Sequence, residues 1–177
     1  MTYKKACLVS CTCVVMLVGH GCGPGNSILG TWEDTNGKFK VRVVEYDQTL
    51  GIPPQRIYCR FEAAGQHSTE WREIMTSKTK SGITREHVKF IGDNIAYIFT
   101  ADTFASTVDT GRNWSVFDGD RMLRDVNLDY RRLYIRTADI SPDGTGVIEA
   151  SVSASRFWGD RNPITLHTSD YGQHWTK

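Results

Sequence analysis

The side chains best suited to gripping another molecule sit in one loop, Arg156-Phe157-Trp158-Gly159-Asp160-Arg161-Asn162-Pro163. Two guanidiniums and two large rings between strands form the composition that concentrates binding energy at protein interfaces. Arg156, Phe157, Trp158 and Arg161 are therefore the candidate partner-binding residues, although Trp158 has a quieter use in packing beneath its own loop. The acidic run Asp118-Gly119-Asp120, with Asp125 and Asp129, offers oxygens of the kind calcium takes. Arg121 and Arg124 interrupt it, which points to a solvated loop instead. Tyr130, Arg131, Arg132 and Arg136 crowd one stretch, but the alternation of a strand would spread them over two faces. The chain contains no G-x-S-x-G elbow, no H-E-x-x-H and no phosphate-binding loop. His67, His87, His167 and His174 are scattered. No C-x-x-C or His/Cys cluster suggests a metal. The expectation is a non-catalytic chain that needs no cofactor and no metal.

Those loops must be held by something, and the clearest scaffold signal is a repeat. Thr107-Val108-Asp109-Thr110-Gly111-Arg112-Asn113-Trp114 and Thr168-Ser169-Asp170-Tyr171-Gly172-Gln173-His174-Trp175 share the pattern [ST]-x-D-x-G-x-x-W. Asp accepts hydrogen bonds from backbone N–H groups further along and pins a turn. Gly two positions later supplies a left-handed backbone at no steric cost. Trp opens the return strand and covers the hairpin with a large apolar face. Trp175 lies close to the end of the sequence, so the second hairpin shows little return strand. Ile28-Leu29-Gly30-Thr31-Trp32 is the segment expected to pair there and cover the edge.

Around these turns nearly everything reads as β-structure. Short stretches rich in Val, Ile, Tyr, Phe and Thr fall at 39–46, 55–63, 70–77, 87–91, 96–100, 115–118, 132–138, 146–153 and 164–167. Asn36-Gly37, Pro53-Pro54, Gly92-Asp93-Asn94 and Ser141-Pro142-Asp143-Gly144 punctuate them. No strong amphipathic helix stands out. Ser68 to Met75 reads either as a turn or two of helix or, through Trp71, as a decayed third repeat.

The N-terminus reads as an export signal. Lys4 and Lys5 precede an uncharged, mostly apolar run from Ala6 to Val18, too short for a confident membrane span. Gly19-His20-Gly21-Cys22 resembles the lipobox of bacterial lipoproteins, with Gly19 where that family usually has Leu. The resemblance implies removal of residues 1–21, lipid attachment at Cys22 and a membrane partner through that lipid. The alternative is ordinary cleavage after Gly21. Residues 22–29 read as the lipidated tether and 30–177 as one domain. Cys7, Cys11 and Cys13 leave with the signal, so Cys59 has no disulfide partner if Cys22 is acylated. It reads as a small buried residue on a strand. Removing Lys4 and Lys5 from 21 basic residues, against 20 acidic ones, takes the net charge from +1 to about −1. That balance leaves no electrostatic footprint for nucleic acid.

The two octapeptides resemble the Asp-box, or BNR, repeat of sialidases, related β-propellers and photosystem assembly factors. The resemblance covers about residues 80–177, and weakly 30–79, and implies a hairpin within a four-stranded blade. It makes Asp109, Gly111, Trp114, Asp170, Gly172 and Trp175 structural residues. A sialidase has more blades than this length holds and an active site of arginines, an acid/base and a Tyr–Glu pair that cannot be placed here. The expected fold is all-β, with short antiparallel strands in Asp-box hairpins forming a partial propeller or small sandwich. The alternative is an eight-stranded barrel, because Gly30-Thr31-Trp32 resembles the G-x-W motif of lipocalins. Together these readings give an exported lipoprotein of the bacterial envelope, facing the periplasm or the outer membrane. It would act as a protein-binding module, accessory or immunity-type, with a partner of unknown identity. A carrier of a small apolar ligand is the alternative, and a glycan-acting hydrolase a more distant one.

Overall fold

The computed structural model describes residues 27–47, 57–79, 83–155 and 161–177. The strands alternate apolar and polar side chains and pair with their chain neighbours, which local turns favour. The first sheet holds β1 (Ser27–Thr35), β2 (Phe39–Asp47), β3 (Ile57–Gly65) and β4 (Arg72–Thr79). A single 3₁₀ turn at Arg85–His87 leads into the second sheet. That sheet holds β5 (Val88–Phe90), β6 (Ala96–Phe99), β7 (Thr103–Thr107) and β8 (Ser115–Asp118). A short helix, α1 (Gly119–Asp125), then connects to the third sheet of β9 (Arg132–Ile140), β10 (Gly146–Ser153) and β11 (Asn162–Thr168). Every sheet is antiparallel and runs in chain order. The chain is all-β, and among the described residues no sheet closes into a barrel.

The three sheets stack, and the second is the filling. Its Ala96, Ile98 and Ala105 join a core with Phe39, Val41, Val43, Cys59, Phe61 and Met75 of the first sheet. Alternate residues of the same strands, Tyr97, Phe99, Phe104 and Phe117, point the other way. They join Leu133, Ile135, Ile148, Val152 and Leu166 of the third sheet, with Met122 and Leu123 of α1. A strand buried on both faces loses the alternation that a half-exposed strand shows, and β6 is buried at all four positions. The outer sheets keep it, as in the buried–exposed alternation of Asn162–Thr168.

Several sequence expectations change here. Residues 27–29 of the expected tether belong to β1, and Ile28–Trp32 does not cap the C-terminal hairpin. It pairs with β2, Ile28 opposite Tyr46 and Trp32 opposite Val43, because the Asn36-Gly37 turn makes that the shortest closure. The last hairpin instead closes on itself through a single bridge between His167 and Thr176. Helix at Ser68–Met75 gives way to the strand β4, with Trp71 placed directly before it as Trp114 is placed before β8. The acidic run expected as a loop contains α1, because the Asp118 carboxylate accepts the Arg121 N–H at 2.7 Å and caps its first turn.

Candidate binding surface

The repeated octapeptides form two copies of one hydrogen-bonded turn. In the first, the Thr107 hydroxyl donates to Asp109 Oδ1 at 2.9 Å and accepts the Gly111 N–H at 3.2 Å. Asp109 Oδ1 accepts the Asn113 N–H at 2.9 Å, and Oδ2 accepts the Asn113 amide at 2.6 Å. In the second, Thr168 donates to Asp170 Oδ1 at 2.8 Å and accepts the Gly172 N–H at 2.9 Å. Asp170 Oδ1 accepts the Gln173 and His174 N–H groups at 3.0 Å each, and Oδ2 pairs with His174 Nδ1 at 2.6 Å. The residue before each glycine is also left-handed, Thr110 at φ 60° and Tyr171 at φ 61°. These bonds satisfy backbone donors that the reversal would otherwise strand. Burial alone pushes both carboxyls up, but the hydrogen bonds outweigh it. Asp109 is held below the ordinary range by Asn113, Thr107 and Arg112, and Asp170 by His174 and Thr168.

Each turn also docks on the sheet before it. Arg72 of β4 donates to the Gly111 and Arg112 carbonyls at 3.1 and 3.0 Å. Gln173 reaches back to the second sheet, donating to Ser106 at 2.8 Å and accepting from Ser115 at 2.6 Å. Trp175 is buried and meets Phe104 edge-on, with ring centroids 5.0 Å apart. Trp114 is only half-buried, and its indole N–H goes to the Gly111 carbonyl at 3.2 Å. The aspartates thus close their own turns, while Arg72, Gln173 and Trp175 join the turns to neighbouring sheets.

Cys22, Arg156, Phe157 and Trp158 lie outside the described residues. Arg161 is inside them, and its guanidinium stacks over the Tyr134 ring at 4.6 Å. The Tyr134 hydroxyl in turn accepts Arg132 Nη1 at 3.1 Å. Two cations and a ring therefore meet on the outer side of the third sheet. Arg132 continues that surface into a groove of about 800 Å³ lined by Asp120, Leu123, Arg124, Leu128, Asp129, Tyr130 and Arg131. Strand alternation was expected to separate this arginine cluster. The groove brings Tyr130, Arg131 and Arg132 together, because Tyr130 and Arg131 precede β9, whose first residue is Arg132, while Arg136 lies further along β9 and does not line it.

The arginines differ in how they are neutralised. On the first sheet Arg42 and Arg60 both reach Glu62, at 2.6 and 3.0 Å, and Lys40 and Arg42 lie over Trp71 at 4.8 and 4.2 Å. Those charges are satisfied inside the chain. Among the described residues no carboxylate oxygen lies within 4.0 Å of Arg124, Arg131 or Arg132. Cys59 sits in the core with Sγ 3.9 Å from Glu45 Oε1, and burial, then the Glu45 charge, pushes its thiol up to about 12. It is therefore a packing residue with no usable thiolate near neutrality. No protein-family model, curated protein or solved structure matches this chain.

Proposed function

We propose that this chain is a non-catalytic protein-binding module of the bacterial cell envelope, exported and anchored by lipid on Cys22, with an accessory or immunity-type role. Residues 1–22 support the location through their basic start, apolar run and small residues before a cysteine. The recognisable motifs support a scaffold, since their hydrogen bonds are spent on joining sheets in the manner of an Asp-box hairpin. The observation that carries the binding role is the Arg161–Tyr134–Arg132 stack, whose Arg161 directly follows residues 156–160 in the sequence. Arginine and tyrosine held against each other are already ordered, so less side-chain entropy is lost when a partner covers them.

Affinity capture of the tagged full chain from its own envelope tests the role. Recovery of a stoichiometric protein with the parent, and its loss with Trp158→Ala and Arg161→Ala, is the expected result. Turnover of a glycan or ester, or capture of lipid alone, refutes it. Mass spectrometry of the mature N-terminus tests the anchor separately. An unmodified Cys22 or Gly23 terminus, or an intact Met1, rules the lipid out.

A further inference from the structure

We infer that the groove between α1 and the start of β9 binds an acidic segment of the partner protein, whose carboxylates meet Arg124, Arg131 and Arg132. The inference rests on the protein-binding reading above and adds the chemistry of recognition. Arg124, Arg131 and Arg132 line one groove, and among the described residues no carboxylate oxygen lies within 4.0 Å of their guanidinium nitrogens. A guanidinium presents parallel N–H donors that match the two oxygens of a carboxylate, and such charge-assisted pairs are the strong class of hydrogen bond.

The groove is built and held before anything binds. Met122 and Leu123 fix α1 in the core between the second and third sheets, both nearly inaccessible to solvent. The chain then doubles back at Asn127, whose φ is 54°, and the Leu128 N–H returns to the Leu123 carbonyl at 2.9 Å. The Arg131 N–H is bound to the Ser153 carbonyl at 3.0 Å, which ties that wall to β10. Arg132 is steadied through the Tyr134 hydroxyl. Leu128 and Tyr130, both half-buried, supply apolar surface between the charges. A volume of about 800 Å³ with mostly charged walls suits a run of side chains better than one small anion. Asp120 and Asp129 also line it. They leave three cations facing two anions, so the groove keeps a net positive charge that an acidic segment complements. The groove is continuous through Arg132 with the Tyr134–Arg161 stack, so one partner can cover both.

The test uses the full chain and a fluorescent oligoglutamate peptide as probe. Binding is expected, weakening as salt rises and falling roughly tenfold for each of Arg124→Gln and Arg131→Gln. Arg85→Gln removes one charge from the 3₁₀ turn and serves as the control, with unchanged affinity expected. Thermal melts of the two groove variants, both at exposed positions, confirm that they are folded. Equal affinity of parent and groove variants, equal binding of oligolysine, or displacement of the peptide by inorganic phosphate overturns the groove. If the parent captures a partner that Arg124→Gln and Arg131→Gln capture equally well, the groove is wrong and the protein-binding role stands. If the parent captures no partner, the role fails, and the peptide measurement still decides the groove.

Discussion

Gly172 offers the sharpest test of how the sheets are joined. Its φ is +79°, and a Cβ built on it would lie 2.6 and 2.7 Å from Phe104 and 3.0 Å from Trp175. Phe104 cannot easily yield, being inaccessible and held between Tyr97, at 5.9 Å, and Trp175, at 5.0 Å between centroids. Gly37 provides the reference, with a similar φ of +86° and nothing within 4 Å of its built Cβ. Gly37→Ala should then cost only the left-handed strain, about 1–2 kcal/mol. Gly172→Ala should cost that plus overpacking of a filled core, about 1–3 kcal/mol more. For a chain of this length each kcal/mol lowers the melting temperature by roughly 2–4 °C. The pair should therefore separate by several degrees. Urea unfolding gives the same comparison as a shift in midpoint at constant slope. Equal costs for the two substitutions would refute the claim that the turn glycine is a contact with the neighbouring sheet as well as a backbone hinge.

Trp175→Ala should cost about 3–5 kcal/mol and Trp114→Ala clearly less, because only the former indole is fully buried; melts showing the reverse order would undo the assignment. Asp109→Ala should cost about 1–3 kcal/mol by stranding backbone donors, measured by the same unfolding curves. The motif carboxyls also set a pH dependence. Their folded pKa values lie below the ordinary 3.8, so the stability they give is present above that value and is lost as pH falls through the folded pKa. Melts across that acid range should show a loss of stability that Asp109→Asn reduces, and an identical pH profile in the variant contradicts the sign. Cys59 should resist alkylation in the native protein at neutral pH and react once denaturant unfolds it; fast native labelling, located by mass spectrometry, contradicts the burial.

What was legible in the sequence was whatever a local rule could express. The octapeptides announced their own turns, and β2, β8 and β10 stand where residue type and flanking turns put them. β7 was missed because Thr103–Thr107 holds Ala and Ser amid its apolar residues and is buried on both faces, so no alternation marks it. α1 was missed because only seven residues form it, and tertiary burial of Met122 and Leu123 holds it where periodicity cannot show. The arginine groove was hidden for a related reason. The strand was read from Arg132, and only the reversal at Asn127 and the tie from Arg131 to Ser153 bring Arg124 to the same groove as Tyr130, Arg131 and Arg132.

That placement follows from the stack itself. The central strands of the second sheet, β6 and β7, are buried on both faces and serve as filling. That sheet's β7–β8 connection is spent on the Gly111 turn, which docks on β4, as the Gly172 turn after β11 docks on the second sheet. The connection from β8 to β9 is different. It must carry the chain out of the second sheet and back into the third, and between Asp118 and Arg132 it has room for a helix, a left-handed residue and a returning segment. Surface connections of this kind are where a rigid scaffold can present varied side chains without disturbing its core. Arg124, Arg131 and Arg132 occupy that one stretch, while Arg42 and Arg60 of the first sheet are tied to Glu62 and Arg72 to the Gly111 turn. The same chain therefore uses arginine in two ways, as internal mortar on a flat sheet and as free charge along the linker. The linker is where exchange of a guanidinium for an uncharged amide should alter recognition while leaving the fold intact.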